Sequence, residues 1–208
     1  MMIRPLVLAL LMPSLALAQD THMEKARRVL QAVPLVDGHN DLPWYIRNDF
    51  KQAPLDVEAY DLRRPTSGNT DLARLQRGMV GGQFWSVYVP GDYRDSGFAR
   101  VQLEQIDVIR RVIAKYPDVL QPAFTAQDIW TAHAAGRVGS LIGMEGGHVI
   151  ENSLGALRAY YDLGARYMTL THVNTNNWCD SSGVSTDVGS SNTTIDGSRR
   201  RHLMISTR

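Results

Sequence analysis

Between Phe84 and Thr171 short apolar, β-rich runs alternate with segments of helical periodicity, and this alternation constrains the fold more than any other feature. Phe84, Trp85, Val87, Tyr88 and Val89 form a strand-like run closed by Pro90-Gly91. From Phe98 to Tyr116 the residues Val101, Ile106, Ile109 and Ile113, with Val108 and Val112 beside them, recur at helical spacings, so one face is buried. Thr125 and Asp128 predict a capping box for a helix that runs through Ala135 and stops at Gly136. Leu141 to Met144 reads as the next strand, Ser153 to Leu163 as a helix ended by Gly164, and Tyr167 to Thr171 as one more strand. Strand, helix, strand with short links is the pattern of a parallel α/β sheet.

The flanking segments are less regular. Glu24 to Ala32 predicts a short helix, Pro34-Leu-Val-Asp37 a brief buried strand, and Gly38 opens a loop. Phe50 to Thr70 is polar, with Pro54, Pro65 and Gly68, and reads as an irregular excursion; Asp71 to Gly78 forms one or two helical turns before Gly81-Gly82. Residues 1–18 carry Arg4, an apolar run from Leu6 broken only by Pro13 and Ser14, and a small-x-small exit at Ala16-Leu17-Ala18. That is the pattern of a signal peptide, and the run is too short for a stable membrane span; an uncleaved anchor is the alternative. The expected location is therefore secreted, periplasmic or cell-surface. Residues 19–183 are expected to form the ordered part, and residues 184–208, rich in Ser, Thr, Gly, Asn and Asp, a disordered tail.

Charge and cysteine content narrow the function. Twenty-two Lys plus Arg against 21 Asp plus Glu leave a formal net charge of +1, so no broad field draws the chain to nucleic acid or to an anionic membrane. The basic triplet Arg199-Arg200-Arg201 reads as a solvated run. A single cysteine, Cys179, excludes an intrachain disulfide and a Cys-ligated zinc site, and is expected to be a small buried apolar group.

The chemistry is carried by polar groups at three strand ends. Val36-Asp-Gly-His39-Asn-Asp41 places an imidazole and a carboxylate two residues apart, where extended backbone projects both to one side. The pair suits a divalent cation, although on its own a hydrogen-bonded turn explains it as well. Gly143-Met-Glu145-Gly-Gly-His148 brings a carboxylate out of an apolar strand into a glycine loop, as a site residue or as half of a salt bridge. His148 reads as a loop-packing residue or one that supports the ligands. Thr169-Leu-Thr171-His172 ends the third strand. In a parallel barrel such ends open onto one crevice, so His39 with Asp41, Glu145 and His172 would share it. His22 and His202 lie in end segments and His133 within a helix, away from that crevice.

These residues resemble the membrane, or renal-type, dipeptidases of peptidase family M19, amidohydrolase-like barrels. The resemblance rests on Leu35-Val-Asp-Gly-His-Asn-Asp-Leu-Pro-Trp44, Gly81-Gly-Gln-Phe-Trp-Ser-Val-Tyr88, Gly143-Met-Glu-Gly-Gly-His148, and the stretch from Leu154 to His172, in that order. It implies that His39 and Asp41 ligate one Zn2+, that Glu145 bridges two and counts as the catalytic residue, and that His172 binds substrate near the scissile carbonyl. It implies dipeptide substrates, and leaves room for a homodimer and for a membrane anchor not present in this chain. Coverage runs from about Val33 to Gly183. The family's later half, with two more zinc-binding histidines, a substrate-gripping Arg and a proton-handling Asp, has no counterpart here. The expected fold is thus α/β, a partial TIM-like (β/α) barrel truncated after about half of its strands, with an incomplete second metal site and open edges that predict poor stability or aggregation. Two rivals remain. A different amidohydrolase-type metal hydrolase would usually carry His-x-His where this chain has His39-x-Asp41, and an exported non-catalytic remnant or binding protein would keep the pocket without turnover.

Overall fold

The computed structural model describes residues 21–48 and 53–181, and five parallel strands organise them. They are β1 (Leu35–Asn40), β2 (Val80–Tyr88), β3 (Leu120–Pro122), β4 (Val138–Glu145) and β5 (Ala165–Met168). The sheet runs β1-β2-β4-β3, and β5 also pairs with β4. β3 and β5 share one edge of β4: Leu120 lies opposite Val138 near its start and Tyr167 opposite Gly143 near its end. Parallel neighbours require the chain to cross back between strands, and helices lie on those crossings. After α1, helical over residues 21–32, come α2 (Leu42–Asn48), α3 (Leu72–Arg77), α4 (Phe98–Lys115), α5 (Ala126–Ala134) and α6 (Leu154–Asp162).

Local chemistry sets several of these boundaries. Thr125 Oγ1 accepts from the Asp128 N–H at 3.2 Å and Asp128 Oδ2 accepts from the Thr125 N–H at 2.9 Å, which is the expected capping box. Ser153 Oγ accepts from the Ala156 N–H at 3.1 Å and starts α6. α4 begins at Gly97 without a side-chain cap, so its stability comes from the face that buries Val101, Ile106, Ile109 and Ile113.

The main core lies on one face of the sheet. Trp85 and Val87 of β2 pair with Ile142 and Met144 of β4, and all four are buried together with Ile46, Ile109 and Tyr160 from three helices. Residues 53–70 are turn-rich, as expected, yet send Val57, Tyr60 and Leu62 into this core. The excursion is tied down where the Leu62 N–H donates to the Tyr116 hydroxyl at 2.9 Å and Lys115 Nζ donates to the Val57 and Glu58 carbonyls at 2.8 Å. On the opposite face, Ala123, Ile129 and Leu141 form a small second cluster with Phe84.

The structure corrects several expectations. β1 does not end at Asp37 and is not buried: it continues through Gly38 to Asn40, and Leu35 and Val36 are 42% and 43% exposed. Among the described residues β2 is its single sheet neighbour, which leaves those side chains facing solvent. β2 starts at Val80, earlier than the aromatic run suggests. β5 spans Ala165–Met168 rather than Tyr167 to Thr171; beyond it the Thr169 N–H still donates to the Met144 carbonyl at 3.0 Å, and the Thr169 hydroxyl accepts from the Gly146 N–H at 2.7 Å. α2 and β3 went unanticipated. Asn40 Oδ1 accepts from the Leu42 N–H at 3.1 Å, and Pro43 fits a first helical turn, where an N–H would have no partner within the helix. Cys179 is half-buried rather than buried. The signal-like residues 1–18 and the tail 184–208 lie outside the described residues; among those described, no helix is long and apolar enough to cross a membrane.

Candidate metal centre

Parallel strands send their C-terminal ends to the same edge of the sheet, and there the polar residues meet. His39 stands next to the end of β1, Tyr88 ends β2, and Glu145 ends β4 in register with Tyr88. His39 Nε2 lies 3.0 Å from Asp41 Oδ1 and 3.4 Å from Glu145 Oε2. One ligand atom from each of His39, Asp41 and Glu145 falls within 4.8 Å of the others. His172 lies beyond β5 in a loop, and its Nε2 comes within 3.5 Å of Glu145 Oε1. The two oxygens of Glu145 therefore face two different imidazoles.

Glycines on β4 and beyond it make room for this arrangement. Gly146 has φ +95°, a conformation that residues with a Cβ rarely adopt, and it turns the chain off β4 directly after Glu145. Gly143 lies under the ring of Tyr167, and a Cβ at that position would collide with the ring.

The donor set fits a divalent cation. Two carboxylates beside one imidazole make a compact N/O donor set, and thiol-free ligation of this kind suits zinc and similar ions in hydrolytic sites. Glu145 is 18% exposed at its side chain, against 41% for His39 and 59% for Asp41, so the carboxylate costliest to leave unbalanced sits deepest.

The neighbours of this cluster were not anticipated. Ser86 Oγ donates to Glu145 Oε2 at 3.4 Å, and the Tyr88 ring packs edge-on to His172 with centroids 5.2 Å apart. Burial, reinforced by the charges of Glu145, Asp92 and Asp41, raises the Tyr88 phenol above its usual range. Burial and then Glu145, Asp41 and Asp37 push Tyr167 up to about 12, so its hydroxyl stays protonated at neutral pH. The available signal was period-two alternation along β2, which puts Phe84, Ser86 and Tyr88 on one face, with Ser86 a polar residue inside an apolar run. Asn40 and Gln83 give no local sign of their role in the sequence. Asn40 Nδ2 donates to Thr70 Oγ1 at 3.0 Å and to Gln83 Oε1 at 3.4 Å, and Gln83 Nε2 donates to the Asp37 carbonyl at 3.3 Å, bracing the backbone on both sides of His39.

Two other histidines, His148 and His133, serve packing. His148 Nε2 donates to the Val89 carbonyl at 2.8 Å with its ring against Phe98, and burial lowers its pKa. His133 Nε2 donates to the Gln31 carbonyl at 3.0 Å, and its ring lies against Gly81 at the N-terminal end of β2, opposite to the end that carries the cluster. His22 lies exposed on α1, and His202 falls outside the described residues.

Comparison with known proteins identifies the family. The family profile "Membrane dipeptidase (Peptidase family M19)" matches residues 23–197. Dipeptidase ataJ of Aspergillus terreus is 43% identical over 173 residues, 79% of this chain and 42% of its own length. The solved structure of dipeptidase AC, an M19 metallopeptidase, superposes with a TM-score of 0.57 at 26% identity, covering 67% of this chain and 43% of the other. A Rhodobacter sphaeroides metallopeptidase solved with a phosphinate mimic of the dipeptide L-Ala-D-Ala gives a TM-score of 0.55 at 25% identity, covering 65% of this chain and 44% of that chain. The present chain spans less than half the length of the curated relatives it matches, 42%, 45% and 31% of them. With the matched profile reaching across most of its residues and its parallel sheet shared with solved members, the chain belongs to the membrane dipeptidases of peptidase family M19, a family of metal-dependent hydrolases.

Proposed function

We propose that this chain carries one half of the binuclear zinc site of a dipeptidase, with His39 and Asp41 holding one zinc, Glu145 bridging to a second, and His172 contacting the substrate. The observation that carries the reading is the convergence of one imidazole and two carboxylates from two strand ends within 4.8 Å. Zinc, when bound, supplies Lewis-acid chemistry: it lowers the pKa of a water and polarises a peptide carbonyl. Glu145 is suited to hold two cations because its oxygens diverge, Oε2 toward His39 at 3.4 Å and Oε1 toward His172 at 3.5 Å. Ser86 orients Oε2 through its hydroxyl. His172, partly exposed and packed against the Tyr88 ring, would donate to the oxygen on which charge develops as the carbonyl is attacked. Dipeptides are the proposed substrates, supported by the relatives' names and by the dipeptide mimic bound in the Rhodobacter sphaeroides protein. The signal-like residues 1–18 support export as part of the same reading.

The test is zinc stoichiometry followed by turnover. The purified chain is expected to bind zinc, His39→Ala and Glu145→Ala to lower the amount bound, and His133→Ala to leave it unchanged. Unaltered zinc in the first two variants would refute the ligand assignment. Release of amino acids from a dipeptide panel by the zinc-loaded chain distinguishes an enzyme from a binding protein.

A further inference from the structure

We infer that Tyr167 is a positioning residue for His39: its hydroxyl oxygen accepts the His39 Nδ1 proton and thereby presents the Nε2 lone pair to the space shared with Asp41 and Glu145. The inference rests on the metal reading above and adds a residue from a different strand to it.

The hydrogen-bond inventory leads to this assignment. A phenol has one proton to give, and that of Tyr167 goes to the Gly38 carbonyl at 3.1 Å. Its oxygen also lies 3.4 Å from His39 Nδ1, and with the proton already committed it can serve that nitrogen as an acceptor. A neutral imidazole carries one proton on its two nitrogens. Without a cation, Nε2 carries the proton toward Asp41 Oδ1 at 3.0 Å and Glu145 Oε2 at 3.4 Å; with zinc among these groups the proton belongs on Nδ1, and Nε2 is left free to bind. A partner on the far nitrogen of a metal-binding histidine fixes both the tautomer and the ring orientation.

The route Tyr167 takes is equally specific. β5 is separated from β1 by β4 and β2, so the side chain must cross the sheet to reach His39. It does so over its register partner Gly143, where a Cβ would collide with the ring, while Phe84 flanks it with centroids 5.1 Å apart. The hydroxyl then holds both the backbone of Gly38 and the ring of His39. This matters because, among the described residues, β1 lies exposed at an edge of the sheet, with little packing to hold His39 in place.

Tyr167→Phe removes one oxygen and keeps the ring. In the zinc-loaded, 15N-labelled chain the His39 Nδ1–H is expected to give a slowly exchanging side-chain resonance, which Tyr167→Phe loses to solvent exchange. Zinc affinity, read by competition with a chromophoric chelator, is expected to fall about tenfold. The thermal midpoint of the metal-free chain should move little. Should Tyr167→Phe not fold, Gly143→Ala displaces the phenol without deleting it and is expected to show the same two losses. If the unaltered chain takes up no zinc, the metal reading itself fails. If it binds zinc and the variant keeps both the resonance and an affinity within about twofold, the metal reading stands and the role of Tyr167 is overturned.

Discussion

β4 and β1 each lead into a proposed ligand, yet the sheet holds them in opposite ways. β4 is buried from Val138 to Met144 and has strand neighbours on both edges, whereas β1 is exposed from Leu35 to His39 and pairs on one edge among the described residues. Glu145 therefore inherits its position from a packed strand. His39 and Asp41 rely on side-chain bonds: Asn40 to Thr70 and Gln83 on one side of the sheet, and Tyr167 on the other. A site assembled in this way has one rigid wall and one braced wall, and the braced wall depends on polar contacts that single substitutions remove.

The comparison breaks most visibly in the rigid half. Trp85 is fully buried on β2 opposite Ile142, and Trp85→Ala is expected to destabilise the chain by about 3–5 kcal/mol in urea denaturation. A loss of less than about 1 kcal/mol would show that this half is not the better-packed one.

The bracing of β1 is tested further back. Asp71 caps α3 by accepting from the Arg74 N–H at 2.7 Å and pairs with Arg74 Nε at 2.7 Å, while Arg74 Nη2 donates to the Thr66 hydroxyl, whose proton goes to the Thr70 carbonyl at 2.7 Å. Asp71→Ala is expected to cost about 0.5–2 kcal/mol near neutral pH. The backbone N–H of Arg74, helped by its side chain and opposed by burial, holds the Asp71 carboxyl below the usual carboxylate range. A depressed folded-state pKa contributes stability that is complete above the unfolded value of about 3.9 and is lost as pH falls through the folded value. The gap between the parent chain and Asp71→Ala should therefore shrink below about pH 4, and a gap that stays constant into acid would remove the carboxylate from the explanation.

The smallest effect belongs to the exposed strand. Val36→Ala is expected to change stability by no more than about 0.5 kcal/mol, as a surface substitution does. A loss approaching that of Trp85→Ala would show that β1 is covered in solution.

Much of this architecture could be read from local pattern. The capping box at Thr125 and Asp128, the buried face of α4 and the apolar run leading to Glu145 each depend on neighbours a few residues away. The exposure of β1 could not be read in this way, because Leu35-Val36 has the composition of a core strand and only the absence of a second described neighbour leaves it at an edge. Tyr167 was equally hidden, since a Tyr at the start of an apolar run gives no sign of a partner 128 residues away.

By itself the sequence determined that strands and helices alternate and that His39, Asp41 and Glu145 stand at or beside strand ends, because periodicity and caps act over a few residues. Only the tertiary structure decided which ends meet. β4 inserts beside β2 while β3, which precedes it in the chain, takes the far edge, and that choice places Glu145 next to Tyr88 and within reach of His39. Partner choice follows from burying both faces and completing hydrogen-bond ladders across the whole sheet, a condition that no local stretch of residues encodes.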